Sequence, residues 1–358
     1  MNAPIYAVCF QDDREPLLEE LGGKGASLVT MTHAGMPVPP GFVMTTAAFD
    51  DFMDESGIAQ RIRERLEDID PEDVAAVDEL SGKIRDALCH RPVPTAVRAA
   101  LVDSYAVLVE QCGGDVPVAV RSSATAEDLP DASFAGQQDT YLWVSGLDAI
   151  AEHIRQCWAS LFTTRAILYR LKNNIPNEGL SMAVVVQKMV NARVAGVAMT
   201  LNPLNGDRSK VTIDAAWGVG ETVVSGEVTP DNLLLDKVTL QKVSEHIGDK
   251  HAELVPDLES ESLIMRDVPA ERASVRCLTD AEVEAVALMA KRAEKHYKTP
   301  QDIEWALDAD LPDGENLLLL QSRPETVHSA KPKAAAAPKS ASAGAFDLSS
   351  ITATLMAK

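Results

Sequence analysis

Two short runs near the carboxyl end hold residue types that could act together on a phosphorylated ligand. They are Asp302-Ile303-Glu304-Trp305 and Leu317-Leu318-Leu319-Leu320-Gln321-Ser322-Arg323-Pro324. In the first run Ile303, Trp305 and Leu307 alternate with Asp302, Glu304 and Ala306. Period-two alternation makes a strand with one apolar face and one acidic face. The second run is apolar and ends in Gln321 and Arg323, which share a face. Pro312-Asp313-Gly314 between them is a turn signal, so the runs read as a hairpin. A hairpin symmetric about that turn sets Glu304 opposite Gln321 and Asp302 opposite Arg323. Carboxylate and amide oxygens are hard ligands of the kind Mg²⁺ takes, and a guanidinium suits phosphate. An edge hairpin with a solvent-face ion pair is the competing reading of these residues.

Other stretches carry complementary chemistry. Leu21-Gly22-Gly23-Lys24-Gly25-Ala26-Ser27-Leu28 leads into a helix expected to end near Gly35. Glycines allow tight turns, and a lysine among them can bring an ammonium and backbone N–H groups to phosphate. The GxxxxGK[ST] pattern is absent, so this is no Walker A loop. A glycine turn with a solvated lysine is the competing reading. Val116 to Val120 reads as a buried strand that delivers Arg121-Ser122-Ser123-Ala124-Thr125-Ala126-Glu127-Asp128 at its carboxyl end. Ser133-Phe134-Ala135-Gly136-Gln137-Gln138-Asp139-Thr140 follows. Carboxyl ends of buried strands are where α/β sheets hold ligands. The small residues, the hydroxyls and Arg121 suit a close lid over phosphates, with Gly136 letting backbone approach an oxygen. A polar loop in which Arg121 satisfies nearby carbonyls competes with that reading. Met182 to Val190 is an apolar strand interrupted by Gln187 and Lys188. Buried polar groups need partners, and the edge of a purine base could supply one.

The remaining elements must position these groups. A short strand is expected over Pro4 to Phe10, and a helix from about Thr46 to Ser56. Residues 58–112 read as a charged helical layer with breaks at Pro71, Pro92 and Pro94. Residues 147–171 read as one amphipathic helix, with Ile150, Ile154, Trp158 and Leu161 on its core face. Strands are expected over 195–200, 211–215 and 233–236. Thr279 with Glu282 forms a capping box for a helix running to about His296. After Val327 the composition turns to Ala, Lys, Pro and Ser, which reads as a mobile linker. It ends in Phe346 to Lys358, read as either a docking helix or a frayed terminus.

At 358 residues the chain has room for two or three domains. Its net charge of −21 argues against nucleic acid or an anionic membrane as partner, since both are polyanions. Cys9, Cys89, Cys112, Cys157 and Cys277 are scattered and have no metal-ligand spacing, which suits free thiols in a reducing compartment. With no signal peptide and no apolar run long enough to cross a bilayer, a cytoplasmic location is expected.

GGKGASL, VPVAVRSSATAEDLPDASFAGQQDTYL, VVVQKMV, TLNPLNGDR, AAWGVGETVVSGEVTPDN, DIEWAL and LLLLQSRPETV, covering about residues 14–327, stand in this order along the chain. Together these blocks resemble the ATP-binding domain of the phosphoenolpyruvate synthase and pyruvate phosphate dikinase family; rifampin phosphotransferases carry a similar domain. The resemblance implies an α+β, ATP-grasp-like fold of two lobes over 1–185 and 186–327, with 328–358 as linker and docking segment. It implies that Lys24, Arg121 and Arg323 contact the phosphates of ATP. Gly136 and Thr140 correspond to lid residues, Gln187 to the adenine-side contact, and Glu304 and Gln321 to Mg²⁺ ligands. Asp302 belongs to the same block. The family's swivelling domain, with its phosphorylatable histidine in a TSHA-type motif, has no counterpart here. His33, in Met31-Thr32-His33-Ala34, reads as helical surface. The implied activity is a dikinase-type phosphotransfer that needs a histidine-bearing partner subunit, or the rest of a longer enzyme. The expected acceptor is phenol, with pyruvate or an antibiotic as alternatives. A non-catalytic ATP sensor is a further alternative.

Overall fold

The computed structural model describes residues 4–55, 57–125, 139–173, 175–176, 179–257, 259–326 and 328. Gly136 and the 346–358 segment lie outside the described residues. In chain order the first lobe holds β1 (Ala7–Cys9), α1 (Leu18–His33), β2 (Gly41–Met44), α2 (Thr46–Asp54), α3 (Ile58–Glu67), α4 (Val74–Cys89) and α5 (Thr95–Cys112). It continues with β3 (Val118–Ala124), β4 (Thr140–Val144), α6 (Leu147–Ser160), α7 (Thr164–Lys172) and β5 (Met182–Lys188). The strands pair antiparallel in the order β1-β2-β5-β3-β4. Residue 185, where the sequence reading divides the lobes, falls inside β5.

Strand alternation gives this sheet two different faces. Phe42, Met44, Val118, Val120, Val184 and Val186 pack into one core with the helical layer. Val43, Ala183 and Val185 point the other way and join Leu21, Leu28, Val29 and Met31 of α1 in a second core. That second core also takes in the other lobe, so α1 is the slab between the two sheets.

The second lobe holds β6 (Ala192–Met199), β7 (Lys210–Trp217), α8 (Glu221–Val224), β8 (Asp231–Asp236) and β9 (Lys242–His246). After these come β10 (Ala252–Asp257), β11 (Ser262–Asp267), α9 (Ala270–Ala273), α10 (Asp280–Tyr297), β12 (Gln301–Asp308) and β13 (Leu317–Pro324). Its main sheet is antiparallel in the order β13-β12-β6-β7-β8-β9, and β10–β11 form a separate hairpin. The inward face of β12, Ile303, Trp305 and Leu307, packs with Val286, Ala287, Ala290 and Ala293 of α10. The expected capping box is present: Thr279 Oγ1 accepts from Glu282 N, and Glu282 Oε2 accepts from Thr279 N. The two-lobed α+β architecture expected from the sequence is therefore the one observed.

The structure also departs from the sequence reading. The single helix expected over 147–171 is two helices, because Thr163 caps a new start by accepting from Ala166 N at 3.3 Å. β9, β10 and β11 had no counterpart in that reading. The five cysteines are unpaired, as expected. Among the described residues no helix is long and apolar enough to cross a membrane.

Candidate functional site

The β12–β13 hairpin keeps both expected cross-strand pairs, Asp302 with Arg323 and Glu304 with Gln321. Just beyond them a bulge intervenes, and Trp305 pairs with Leu319. The bulge decides where the polar groups go. Strict alternation along β13 would put Leu319, Gln321 and Arg323 on one face. The extra residue, Leu320, resets the phase, so Leu319 is buried in the core while Gln321 and Arg323 face the opposite side.

Arg121 lies on β3, opposite Val185, on the face of the first sheet that looks toward the second lobe. Gln187 sits between Gly41 and Ala119 on the same face. Gln187 is buried and donates its Nε2–H to the Pro39 carbonyl at 3.2 Å. Lys24 lies just after a break in α1: Gly22 has φ 66° and ψ 176°, so the helix restarts at Gly23. A side chain at Gly22 would put its Cβ 2.1 Å from the Ser123 carbonyl oxygen, so only glycine fits there.

These elements converge. A cavity of about 460 Å³ lies between the lobes, lined by Lys24, Arg121, Thr140, Gln187, Glu304, Gln321 and Arg323. That volume is in the range of small-molecule and cofactor sites. Apolar side chains, among them Leu142, Met189, Val190, Val219 and Leu320, also line it. The cavity thus combines apolar surface with cations and carboxylates. Lys24 and Arg121 come from the first lobe, and Glu304, Gln321 and Arg323 from the second. Of the residues proposed from sequence, only Gly136 cannot be placed.

The polar groups are tightly wired. Arg121 Nη2 donates to Glu304 Oε2 at 3.0 Å, across the lobes. Arg323 donates through Nε at 2.9 Å and sits 2.8 Å away through Nη2, both to Asp302 Oδ2. Asp302 is buried, which pushes its carboxyl above the usual range; Arg323 opposes that shift and Glu304 adds to it. Its second oxygen, Oδ1, is buried without a hydrogen-bond partner among the described residues. An orphaned carboxylate oxygen beside a carboxylate and an amide oxygen fits a hard divalent cation. No group of three His, Cys, Asp or Glu suited to a metal occurs among the described residues. Mg²⁺ sites built from few side chains plus substrate phosphates have that character. None of the histidines lines the cavity. His33 closes α1, and its Nε2 lies 3.0 Å from the Asp12 carbonyl.

Sequence reasoning missed two parts of this site. Ser123 joins the Gly22 break from another strand, and nothing in the local pattern separates it from its neighbour Ser122. The hydrophobic wall contributed by Leu142 and Val219 is scattered along the chain and has no linear signature.

The family profile described as "Pyruvate phosphate dikinase, AMP/ATP-binding domain" matches residues 18–343. A probable phosphoenolpyruvate synthase from Methanothermobacter thermautotrophicus is 44% identical over 322 residues, covering 90% of this chain and 46% of that protein. The phosphoenolpyruvate synthase of Aeropyrum pernix is 44% identical over 349 residues, covering 90% of this chain and 42% of that protein. The chain thus spans less than half the length of these relatives. Among solved structures, D-alanyl-alanine synthetase A from Vibrio cholerae overlaps 69% of this chain and 54% of its own, at 13% identity and a TM-score of 0.27.

Proposed function

Because the chain belongs to the pyruvate phosphate dikinase AMP/ATP-binding domain family, we propose that its interlobe cleft binds Mg·ATP and directs the β,γ-diphosphate to a histidine outside this chain. The observation that carries this reading is the meeting of Lys24, Arg121, Glu304, Gln321 and Arg323 in one cavity that no histidine lines. The apolar surface beside Gln187 takes the adenine. Lys24, Arg121 and Arg323 hold the phosphates and offset their charge. Glu304 and Gln321, with the orphaned Asp302 oxygen beside them, would hold Mg²⁺, which neutralises charge on the phosphate oxygens. Thr140 stands where the chain returns from the 126–138 segment and caps the phosphate end.

Phosphoryl transfer asks mainly for positioning and charge stabilisation. The cleft offers both, from residues anchored on strands and on a helix start. Attack by an imidazole on the β-phosphorus breaks its bond to the α,β-bridging oxygen and leaves AMP. Attack of water on the terminal phosphorus then breaks the bridge between the two transferred phosphoryl groups, which releases inorganic phosphate and leaves phosphohistidine, ready to phosphorylate an acceptor. The enzyme is accordingly a dikinase-type phosphotransferase that is active only with its histidine-bearing partner subunit.

For the acceptor step we propose phenol, as in phenylphosphate synthase, whose ATP-binding β subunit this chain resembles. The name borne by the relatives favours pyruvate as the rival acceptor. The test is to incubate the chain with Mg²⁺ and ATP, first alone and then with the histidine-bearing subunit, while following AMP and a radiolabelled acceptor. AMP is expected only in the mixture, with label on phenol. Label on pyruvate instead would move the acceptor reading. Acceptor phosphorylation by this chain alone would refute the divided enzyme.

A further inference from the structure

Resting on the nucleotide reading above, we infer that Ser123 is a positioning residue: its hydroxyl, inserted into the hydrogen-bond ladder of α1, sets Lys24 in place relative to Arg121. In an unbroken helix the Gly25 N–H donates to the Leu21 carbonyl, one turn back. Here the Ser123 hydroxyl stands between them. It accepts from Gly25 N at 3.0 Å and donates to Leu21 O at 2.8 Å. Insertion of a side chain into the ladder is one of the few physical causes of a sharp helix break. The break is at Gly22, whose φ of 66° lies in the left-handed region. A Cβ on Gly22 would meet the Ser123 carbonyl oxygen at 2.1 Å and its Oγ at 2.4 Å, so the two residues are fitted to each other.

The consequence reaches the cleft. Gly23 and Lys24, immediately after the break, line the cavity. Ser123 and Arg121 lie on the same face of β3, so one strand carries a phosphate-facing cation and the clamp for the other. Ser123 is fully buried. Alanine would fill nearly the same space, so packing alone does not call for a hydroxyl. The break does, because without it the buried Gly25 N–H and Leu21 C=O lose their shared partner. They then either stay unsatisfied or pair directly, which closes the helix and turns Lys24 away from Arg121. Ser122 differs: its Oγ donates to the Asp139 carbonyl at 3.4 Å, outside α1.

The test compares Mg·ATP with adenosine, which has no phosphate, by calorimetry on the full chain. Ser123→Ala is expected to weaken Mg·ATP by about tenfold or more while adenosine affinity stays within about twofold, as expected when a charged contact is mispositioned. Ser123→Cys, which keeps the volume but hydrogen-bonds weakly, is expected to shift the same ratio less, and it serves if the alanine variant fails to fold. If both variants melt lower yet keep the native ratio of ATP to adenosine affinity, Ser123 only supports the fold and the inference falls, while the nucleotide reading stands. If the unaltered chain binds neither ligand, the nucleotide reading falls and takes this inference with it.

Discussion

Glu304→Gln tests the cleft most directly, because it removes one charge and changes almost no shape. Glu304 holds Arg121 across the lobes at 3.0 Å, with side-chain exposures of 23% and 17%. At that distance and an effective dielectric of about 20, the gross attraction is roughly 5 kcal/mol. Desolvation offsets most of it, and charge-assisted hydrogen bonds of this kind leave about 1.5–3 kcal/mol net. Glutamine retains a neutral bond to Arg121, so the loss in stability is expected at about 1–2 kcal/mol. In a chain of 358 residues, at about 2.1 cal/mol/K of unfolding entropy per residue, that lowers the melting temperature by about 1–2 °C for each kcal/mol. The effect on ligand binding is of a different order. If Glu304 is a metal ligand, losing its charge costs about 10–100-fold or more in metal-dependent affinity. Titrations of ATP with and without Mg²⁺ read this out. The native chain is expected to gain affinity on adding Mg²⁺, and Glu304→Gln to lose most of that gain. The reasoning fails if the variant binds Mg·ATP within about twofold of the native chain and keeps its metal dependence.

Gly22→Ala forces a Cβ into the Ser123 carbonyl at 2.1 Å and a left-handed φ of 66° on alanine. Strain of about 1–2 kcal/mol plus the clash predicts a loss of at least ~2 kcal/mol in urea unfolding, with weaker ATP binding. Glu253 is buried, which pushes its pKa up, but hydrogen bonds from Arg272 and Arg266 pull it below the usual value overall. Its stabilising ionised form is therefore fully present above the unfolded carboxylate pKa and lost as pH falls through the lower folded one. Glu253→Gln is expected to cost about 1–3 kcal/mol at neutral pH, with the gap to the native chain closing below about pH 4. Trp305→Ala, at a fully buried site between β12 and α10, is expected to cost about 3–5 kcal/mol by the same unfolding assay.

Local pattern carried much of this molecule. The alternation of Asp302, Glu304 and Ala306 with Ile303, Trp305 and Leu307 announces a half-buried strand, and the turn at Pro312-Asp313-Gly314 sets its partner's register. The Thr279–Glu282 box marks a helix start through two hydrogen bonds made within one turn. Such signals are legible because their partners are near in sequence. The break at Leu161–Thr163 was harder, since the apolar spacing runs on through it and only a single capping threonine interrupts the helix. The β10–β11 hairpin was hidden because its apolar residues stand in runs, Leu254-Val255-Pro256 and Leu263-Ile264-Met265, with no clean alternation, and Pro256 argues against a strand.

What the chain by itself determined is the β12–β13 hairpin with its Asp302–Arg323 and Glu304–Gln321 pairs and the capped start of α10, while the two-lobed arrangement was implied by its resemblance to a known family. The local elements follow from residue type and from periodicities of two and 3.6. Tertiary structure alone decided the bulge at Leu320, the pairing of Arg121 with Glu304, and the entry of the Ser123 hydroxyl into α1. Each joins atoms distant in sequence, or trades one local geometry for another of similar energy. Only the packing of two sheets around one helix supplies the difference.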